Sequence, residues 1–146
     1  MSDVKKIALI TSTSNFERHK KVIKATHRKL KELGNYVLYV FSSYGLYRGY
    51  DVYESGEASV YTLLERGEFD GCILEGNIDN KEMIEHLSKV CTEKKLPFVT
   101  LNIGWEDHPF FIMDSYSVCC ELMKHLIEVH GCTKINMASG NYGDVF

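Results

Sequence analysis

Short apolar runs alternate along the chain with longer segments whose apolar residues recur every three or four positions, which predicts strands and helices in turn. Lys6 to Ile10 is an apolar run closed by Thr11, Ser12 and Thr13, the pattern of a strand buried on both faces. Phe16, Val22, Ile23, Thr26, Leu30 and Leu33 then share one helical face, with Asn15 at the N-cap position and Gly34 where a left-handed C-terminal residue is favoured. Tyr36 to Phe41, β-branched and aromatic, predicts a second strand, and Ser42 to Ser55, with Gly45 and Gly49 among tyrosines, a long loop. Ser55 is placed to cap a helix from Gly56 to Arg66 that packs Ala58, Tyr61 and Leu64, and Gly67 ends it before a third strand at Gly71 to Leu74. Asn80 heads a helix carrying Met83, Ile84, Leu87, Val90 and Cys91, and Pro97 opens a fourth strand through Leu101.

The rhythm changes after Asn102. Ile103 to Phe110 is a loop containing Gly104, Trp105 and Pro109, and Phe111 to Met113 is a stub of extended chain. Asp114 or Ser115 then starts a helix with two ridges of apolar residues four apart: Val118, Leu122 and Leu126, and Cys119, Met123 and Ile127. Gly131 ends it, Lys134 to Ala138 is expected as a sixth strand, and Ser139 to Phe146 as a loop. Strands and helices in strict alternation with short connections imply an α/β fold, a doubly wound parallel sheet with helices on both faces.

With 146 residues the chain fits one core-forming domain, for at this size roughly 70 % of the unfolded surface is hidden on folding. A net charge of −3 lacks the basic footprint that phosphate backbones select, so direct contact with nucleic acid is not expected, and the lysines and arginines crowding the first quarter are read as a solvated helix face. No apolar stretch approaches the roughly 20 residues of a membrane span and no leader-like segment opens the chain, so a cytoplasmic protein without membrane contact is expected. Five cysteines, Cys72, Cys91, Cys119, Cys120 and Cys132, lack metal-ligand spacing and are expected as reduced, mostly buried thiols.

In doubly wound sheets ligands bind at the carboxyl ends of the strands near the point where strand order reverses. The residues there are Ser12, Thr13, Asn15 and Phe16 after the first strand, Glu75 and Asn77 after the third, Asn102 and Trp105 after the fourth, and Asp114 after the stub. Amides and carboxylates that take bidentate hydrogen bonds, beside aromatic platforms, suit a neutral polyhydroxyl or similarly polar small molecule, although helix caps and loops use the same residue types.

Enzyme chemistries fare worse at these positions. The Thr11-Ser-Thr-Ser-Asn-Phe16 turn offers no Gly-x-Gly-x-x-Gly approach to a pyrophosphate, and neither a P-loop nor a Gly-x-Ser-x-Gly elbow occurs. A phospho-receiver site needs acidic residues after the first strand, which are missing, and a shorter carboxylate than Glu75. The histidines have no zinc spacing, and His130 falls where a cation suits a helix C-terminus. No catalytic residue, metal or cofactor is expected, and the chain is not expected to be an enzyme.

Lys6-Ile-Ala-Leu-Ile-Thr, Phe69-Asp-Gly-Cys-Ile-Leu, Leu96-Pro-Phe-Val-Thr-Leu, Met113-Asp-Ser, the helix Leu122-Met-Lys-His-Leu-Ile and His130-Gly-Cys-Thr-Lys-Ile resemble, in order and spacing, the lactose-repressor (LacI/GalR) type of periplasmic-binding-like domain. Gly56-Glu-Ala-Ser-Val-Tyr-Thr-Leu-Leu is most similar to versions that precede a GGDEF diguanylate cyclase module. The resemblance implies a two-lobed clamp closing on a sugar or similar metabolite, with closure read by an attached output module, either a diguanylate cyclase or a DNA-binding regulator. Family ligand contacts map onto Thr13, Asn15, Phe16, Glu75, Asn102 and Asp114. Residues 1–113 then form the N-terminal lobe and 114–146 the start of a second, incomplete lobe. The chain departs from the family in lacking a helix-turn-helix, a GGDEF segment and the usual Asn-Pro-aromatic first loop. A ligand-free dimerisation scaffold is the alternative. Because the helix from Ser115 to His130 cannot leave so wide an apolar stripe bare, association through it is expected, as a homodimer or by exchange of the element between copies.

Overall fold

The computed structural model describes residues 4–13, 17–43, 56, 59–75, 81–102, 104 and 108–137. They fall into two compact units, Met1–Phe111 and Ile112–Phe146.

The first unit is built on a five-stranded parallel sheet. Its strands are β1 (Lys5–Thr13), β2 (Tyr36–Ser43), β3 (Gly71–Glu75), β4 (Phe98–Leu101) and β5 (Phe110–Phe111), in the spatial order β2-β1-β3-β4-β5. Every pairing is parallel. Helix α1 (Glu17–Leu33) links β1 to β2, a 3₁₀ turn (Ser59–Thr62) running into α2 (Leu63–Arg66) precedes β3, and α3 (Lys81–Glu93) links β3 to β4. The order reverses between β1 and β3, because the chain leaves β1 toward β2 on one side and later builds β3, β4 and β5 on the other. The doubly wound α/β class expected from the alternation is the one observed.

Central position explains the run in β1: Ala8, Leu9 and Ile10 are all fully buried, which requires apolar residues on both faces of the sheet. Ala8 and Ile10 join Cys72 and Leu74 of β3 against Leu64 of α2 and Ile84, Leu87 and Cys91 of α3. Each large aliphatic side chain buried there contributes about 1.5–3 kcal/mol. Leu9, Thr11, Ile73 and Glu75 alternate to the opposite face, since successive strand side chains point to opposite sides. On α1 the periodic residues Val22, Ile23, Thr26 and Leu30 are half-buried and His19 is buried, as the 3.6-residue repeat requires.

Helix ends follow local chemistry. Gly34 closes α1 at φ +71° with its N–H donating to the Leu30 carbonyl at 3.0 Å, the role its position predicts. Lys94 Nζ donates to the Leu64 and Gly67 carbonyls at 3.3 and 2.9 Å, which satisfies the end of α2. The span from Gly56 to Arg66 expected as a helix is helical at each of its described residues, with a 3₁₀ stretch over Ser59–Thr62. Ser59 Oγ donates to the Gly56 carbonyl at 2.6 Å and Thr62 Oγ1 to the Ser59 carbonyl at 2.7 Å, so short hydroxyl side chains bond the local backbone and favour the 3₁₀ turn. Its proposed cap, Ser55, lies outside the described residues, as do Asn80, most of the loop from Ser42 to Ser55, and the closing segment from Ser139.

In the second unit, α4 (Ser115–Glu128) is capped by Asp114, whose carboxylate accepts from the Ser117 N–H at 3.0 Å. That bond holds the Asp114 carboxyl below the ordinary carboxylate range. Gly131, at φ +64°, donates to the Ile127 carbonyl and ends the helix as expected. The sixth strand expected from Lys134 to Ala138 does not form over its described residues 134–137. A strand is stable only when its N–H and C=O groups find a neighbour, and this unit contains no other strand among its described residues.

Candidate functional site

The winding reverses between β1 and β3, and in sheets of this class ligands bind at the carboxyl ends of the strands beside that point. The register pairs Ile10 with Leu74, so the next residues, Thr11 and Glu75, come side by side on one face. His19, from the first turn of α1, covers them. All three are buried.

Their contacts form a closed triangle. Thr11 Oγ1 donates to Glu75 Oε2 at 2.6 Å, and His19 Nδ1 lies 3.0 Å from the same oxygen and 3.1 Å from Thr11 Oγ1. A carboxylate can only accept, which assigns the proton to His19 Nδ1 and makes the His19–Glu75 contact a charge-assisted bond. Tyr61, buried in the 3₁₀ turn, donates its hydroxyl to the Thr11 carbonyl at 2.9 Å and fixes the end of β1 from the other side of the sheet. Glu75 is 0 % exposed, and its second oxygen, Oε1, has no partner among the described residues. Leaving such a group unsatisfied costs about 1–3 kcal/mol, and a native structure keeps one for a reason.

Of the residues singled out from the sequence, Glu75 is at the centre of this cluster, and Asn102 ends the neighbouring strand one residue past Leu101, the register partner of Glu75. Asn102 is half-buried at φ +65°, a left-handed conformation that asparagine tolerates, and its N–H donates to the Phe111 carbonyl at 2.7 Å. The Thr13 backbone closes β1, but its side chain, together with Asn15, Phe16 and Trp105, lies outside the described residues. Asp114 belongs to the second unit and caps α4. Sequence reasoning does not assign Thr11, His19 or Tyr61 to this site: Thr11 closes the first apolar run, Tyr61 packs a helix, and the histidines, His19 among them, lack zinc spacing. The available signal was phase, since Thr11 is in step with Leu9 and Glu75 with Ile73, which puts two polar residues on one buried face.

No group of three or more histidine, cysteine or acidic residues that could hold a metal occurs among the described residues. A separate concavity of about 360 Å³, lined by Gly67, Phe69, Asp70, Lys94 and Pro97 among others, lies at the opposite, amino ends of β3 and β4. Its position at the wrong end of the strands and its open shape give it less weight than the buried triangle.

Among solved structures the chain is similar to an ABC sugar transporter subunit from Rhodobacter sphaeroides 2.4.1, at 16 % identity and a TM-score of 0.66 over 88 % of this chain and 43 % of that one. It is also similar to a transcription regulator from Lactobacillus plantarum, at 15 % identity and a TM-score of 0.54 over 84 % of this chain and 39 % of that one. The fold is thus the Rossmann-like, periplasmic-binding-protein-like α/β architecture, and the chain spans less than half the length of either neighbour. The pattern of the ribosomal protein L7Ae/L30e/S12e/Gadd45 family matches residues 44–103, less than half of the 146-residue chain. No curated protein matches the sequence. No helix among the described residues is long and apolar enough to cross a membrane.

Proposed function

We propose that the chain is a ligand-binding sensory or regulatory domain for a sugar or a similar small polar metabolite, whose occupancy is read by an attached output module of the diguanylate cyclase or DNA-binding kind. The observation that carries this reading is the buried Glu75 carboxylate at the β1/β3 switch point, with Oε2 held by Thr11 and His19 and Oε1 without a donor among the described residues. A ligand hydroxyl is the donor that this oxygen needs. The triangle binds without turnover in this reading: the Thr11 hydroxyl spends its proton on Glu75, and His19 is tied to the same carboxylate oxygen. A fold shared with a sugar transporter subunit and a transcription regulator is consistent with binding and regulation, and names neither ligand nor output.

The second reading, a ligand-free dimerisation scaffold, draws on the exposed apolar side chains of α4. Thermal unfolding with a panel of D-ribose, D-galactose, D-glucose and adenosine separates the two. A ligand at 100 times its Kd stabilises the folded state by about 2.7 kcal/mol, which at roughly 2–4 °C per kcal/mol raises Tm by ~5–11 °C. Ligand binding predicts such a shift for at least one compound, abolished by Glu75→Gln; a scaffold shows none.

A further inference from the structure

We propose that His125 and His130 form a binding site for a divalent first-row transition-metal ion, held by the two Nε2 atoms with water in its remaining positions. The site lies wholly within the second unit and does not depend on the ligand reading at Glu75.

Five residues apart on a regular helix, two side chains point about 140° away from each other, so the spacing of these histidines gives no sign of a pair. The end of α4 brings them together. The helix stops at Glu128, Val129 and His130 form a turn, and Gly131 reverses the chain at φ +64°. The turn is fixed by the Gly131 N–H, which donates to the Ile127 carbonyl, and by the Cys132 N–H, which donates to the Leu126 carbonyl, each at 3.1 Å. His130 Nε2 thereby comes to 3.1 Å from His125 Nε2, with ring centroids 4.8 Å apart and planes at 77°. Both residues are exposed, so an ion reaches them from solvent.

A single proton joins the two nitrogens as they stand, one Nε2–H donating and the other Nε2 accepting. A metal ion takes the place of that proton. Two imidazole nitrogens bound at about 2.0–2.1 Å and subtending about 90–110° at one ion lie about 2.9–3.4 Å apart, a range that contains the observed separation. The ring that donated takes its proton on Nδ1 by exchange with solvent, both Nε2 lone pairs go to the metal, and the ion gives up two of its waters. With both rings neutral, no net proton is released. The ion's charge falls beyond the carboxyl end of α4, where the last carbonyls carry the negative end of the helix dipole. Imidazole with water suits zinc, nickel or copper, whereas magnesium and calcium take oxygen ligands. No third histidine, cysteine or carboxylate completes such a group among the described residues, so the site stays open to solvent and its affinity moderate. An ion held there ties the last turn of α4 to the chain beyond it.

Calorimetric titration with zinc chloride and with nickel chloride tests this, on the chain with Cys119, Cys120 and Cys132 changed to serine so that thiols do not compete. One ion per chain with a Kd on the order of 10 µM is expected, weakened at least ~10-fold by His125→Asn and by His130→Asn, and changed less than about 2-fold by His27→Asn on α1. Magnesium chloride should give no saturable heat. All three histidines are exposed, so the substitutions spare the fold, and circular dichroism checks this. Amide hydrogen exchange reads the tie itself: free zinc at about 100 times its Kd should slow exchange of the Gly131 amide ~100-fold, because opening the turn parts the two ligands. Absence of saturable heat with both zinc and nickel, binding that survives either substitution at His125 or His130, or zinc binding that leaves Gly131 exchange unchanged would overturn the proposal.

Discussion

Replacing Thr11 with valine isolates one bond of the triangle. The substitution keeps the shape of the side chain and removes the hydroxyl that donates at 2.6 Å to a fully buried carboxylate oxygen. A hydrogen bond to a charged group is worth about 1.5–3 kcal/mol, and the extra methyl recovers at most about 0.8 kcal/mol by burial. A net loss of roughly 1–2 kcal/mol remains, or ~2–8 °C in Tm at this chain length. The Tyr61 bond is untouched, because it goes to the Thr11 backbone carbonyl. Urea unfolding followed by circular dichroism should show a lower midpoint at unchanged m-value. In a Glu75→Gln background the same substitution should cost less than about 1 kcal/mol, since a bond to a neutral amide is about half as strong, giving a coupling between the two sites near 1 kcal/mol. Strict additivity of the two substitutions, or a Thr11→Val protein as stable as wild type within about 0.5 kcal/mol, would refute the charge-assisted bond as described.

Other consequences are separately measurable. Because Asp114 is held below its ordinary value by the Ser117 N–H, its capping contribution is complete above the unfolded carboxylate pKa and is lost as pH falls through the lower folded value. Helical circular dichroism should therefore drop on acidification in wild type and not in Asp114→Ala, which already lacks the cap at neutral pH. The hydrogen bond with Cys91, together with burial, pushes the Cys72 thiol well up, so a thiol reagent at pH 8 should modify exposed Cys119 at least about 100-fold faster than Cys72, with protection of Cys72 lost in urea. Gly67→Ala would drive a methyl into the Phe69 ring and displace it from edge contacts with Tyr39 and Phe41 at centroid distances of 5.6 and 5.7 Å. Overpacking of that kind should cost roughly 1–3 kcal/mol in denaturant unfolding.

The fold was legible because two periodicities decide it. A period of 3.6 in α1, α3 and α4 and continuous apolar runs in β1 and β3 leave little choice but a parallel sheet with covering helices, and Gly34, Gly131 and Asp114 mark helix ends by chemistry that acts within a few residues. The sixth strand was not legible from Lys134 to Ala138, because a strand exists only if another accepts its hydrogen bonds. The 3₁₀ stretch in the helix before β3 was not legible either, since it depends on serine and threonine hydroxyls bonding the nearby backbone. Glu75 was found by its place after a strand. Its partners were not legible because Glu75 lies 64 residues from Thr11 and 56 from His19, and Tyr61 lies 50 from Thr11, so the β1/β3 register and the docking of α1 are what bring their polar atoms together.

Whether the β1/β3 rim grips a metabolite is tested most directly by calorimetric titration of the wild-type chain and Glu75→Gln with the sugars and adenosine. Saturable heat at one site per chain in wild type, weakened by at least about 10-fold when the carboxylate becomes an amide, is the predicted result. Absence of heat for every compound, or equal affinity in the two proteins, would contradict it.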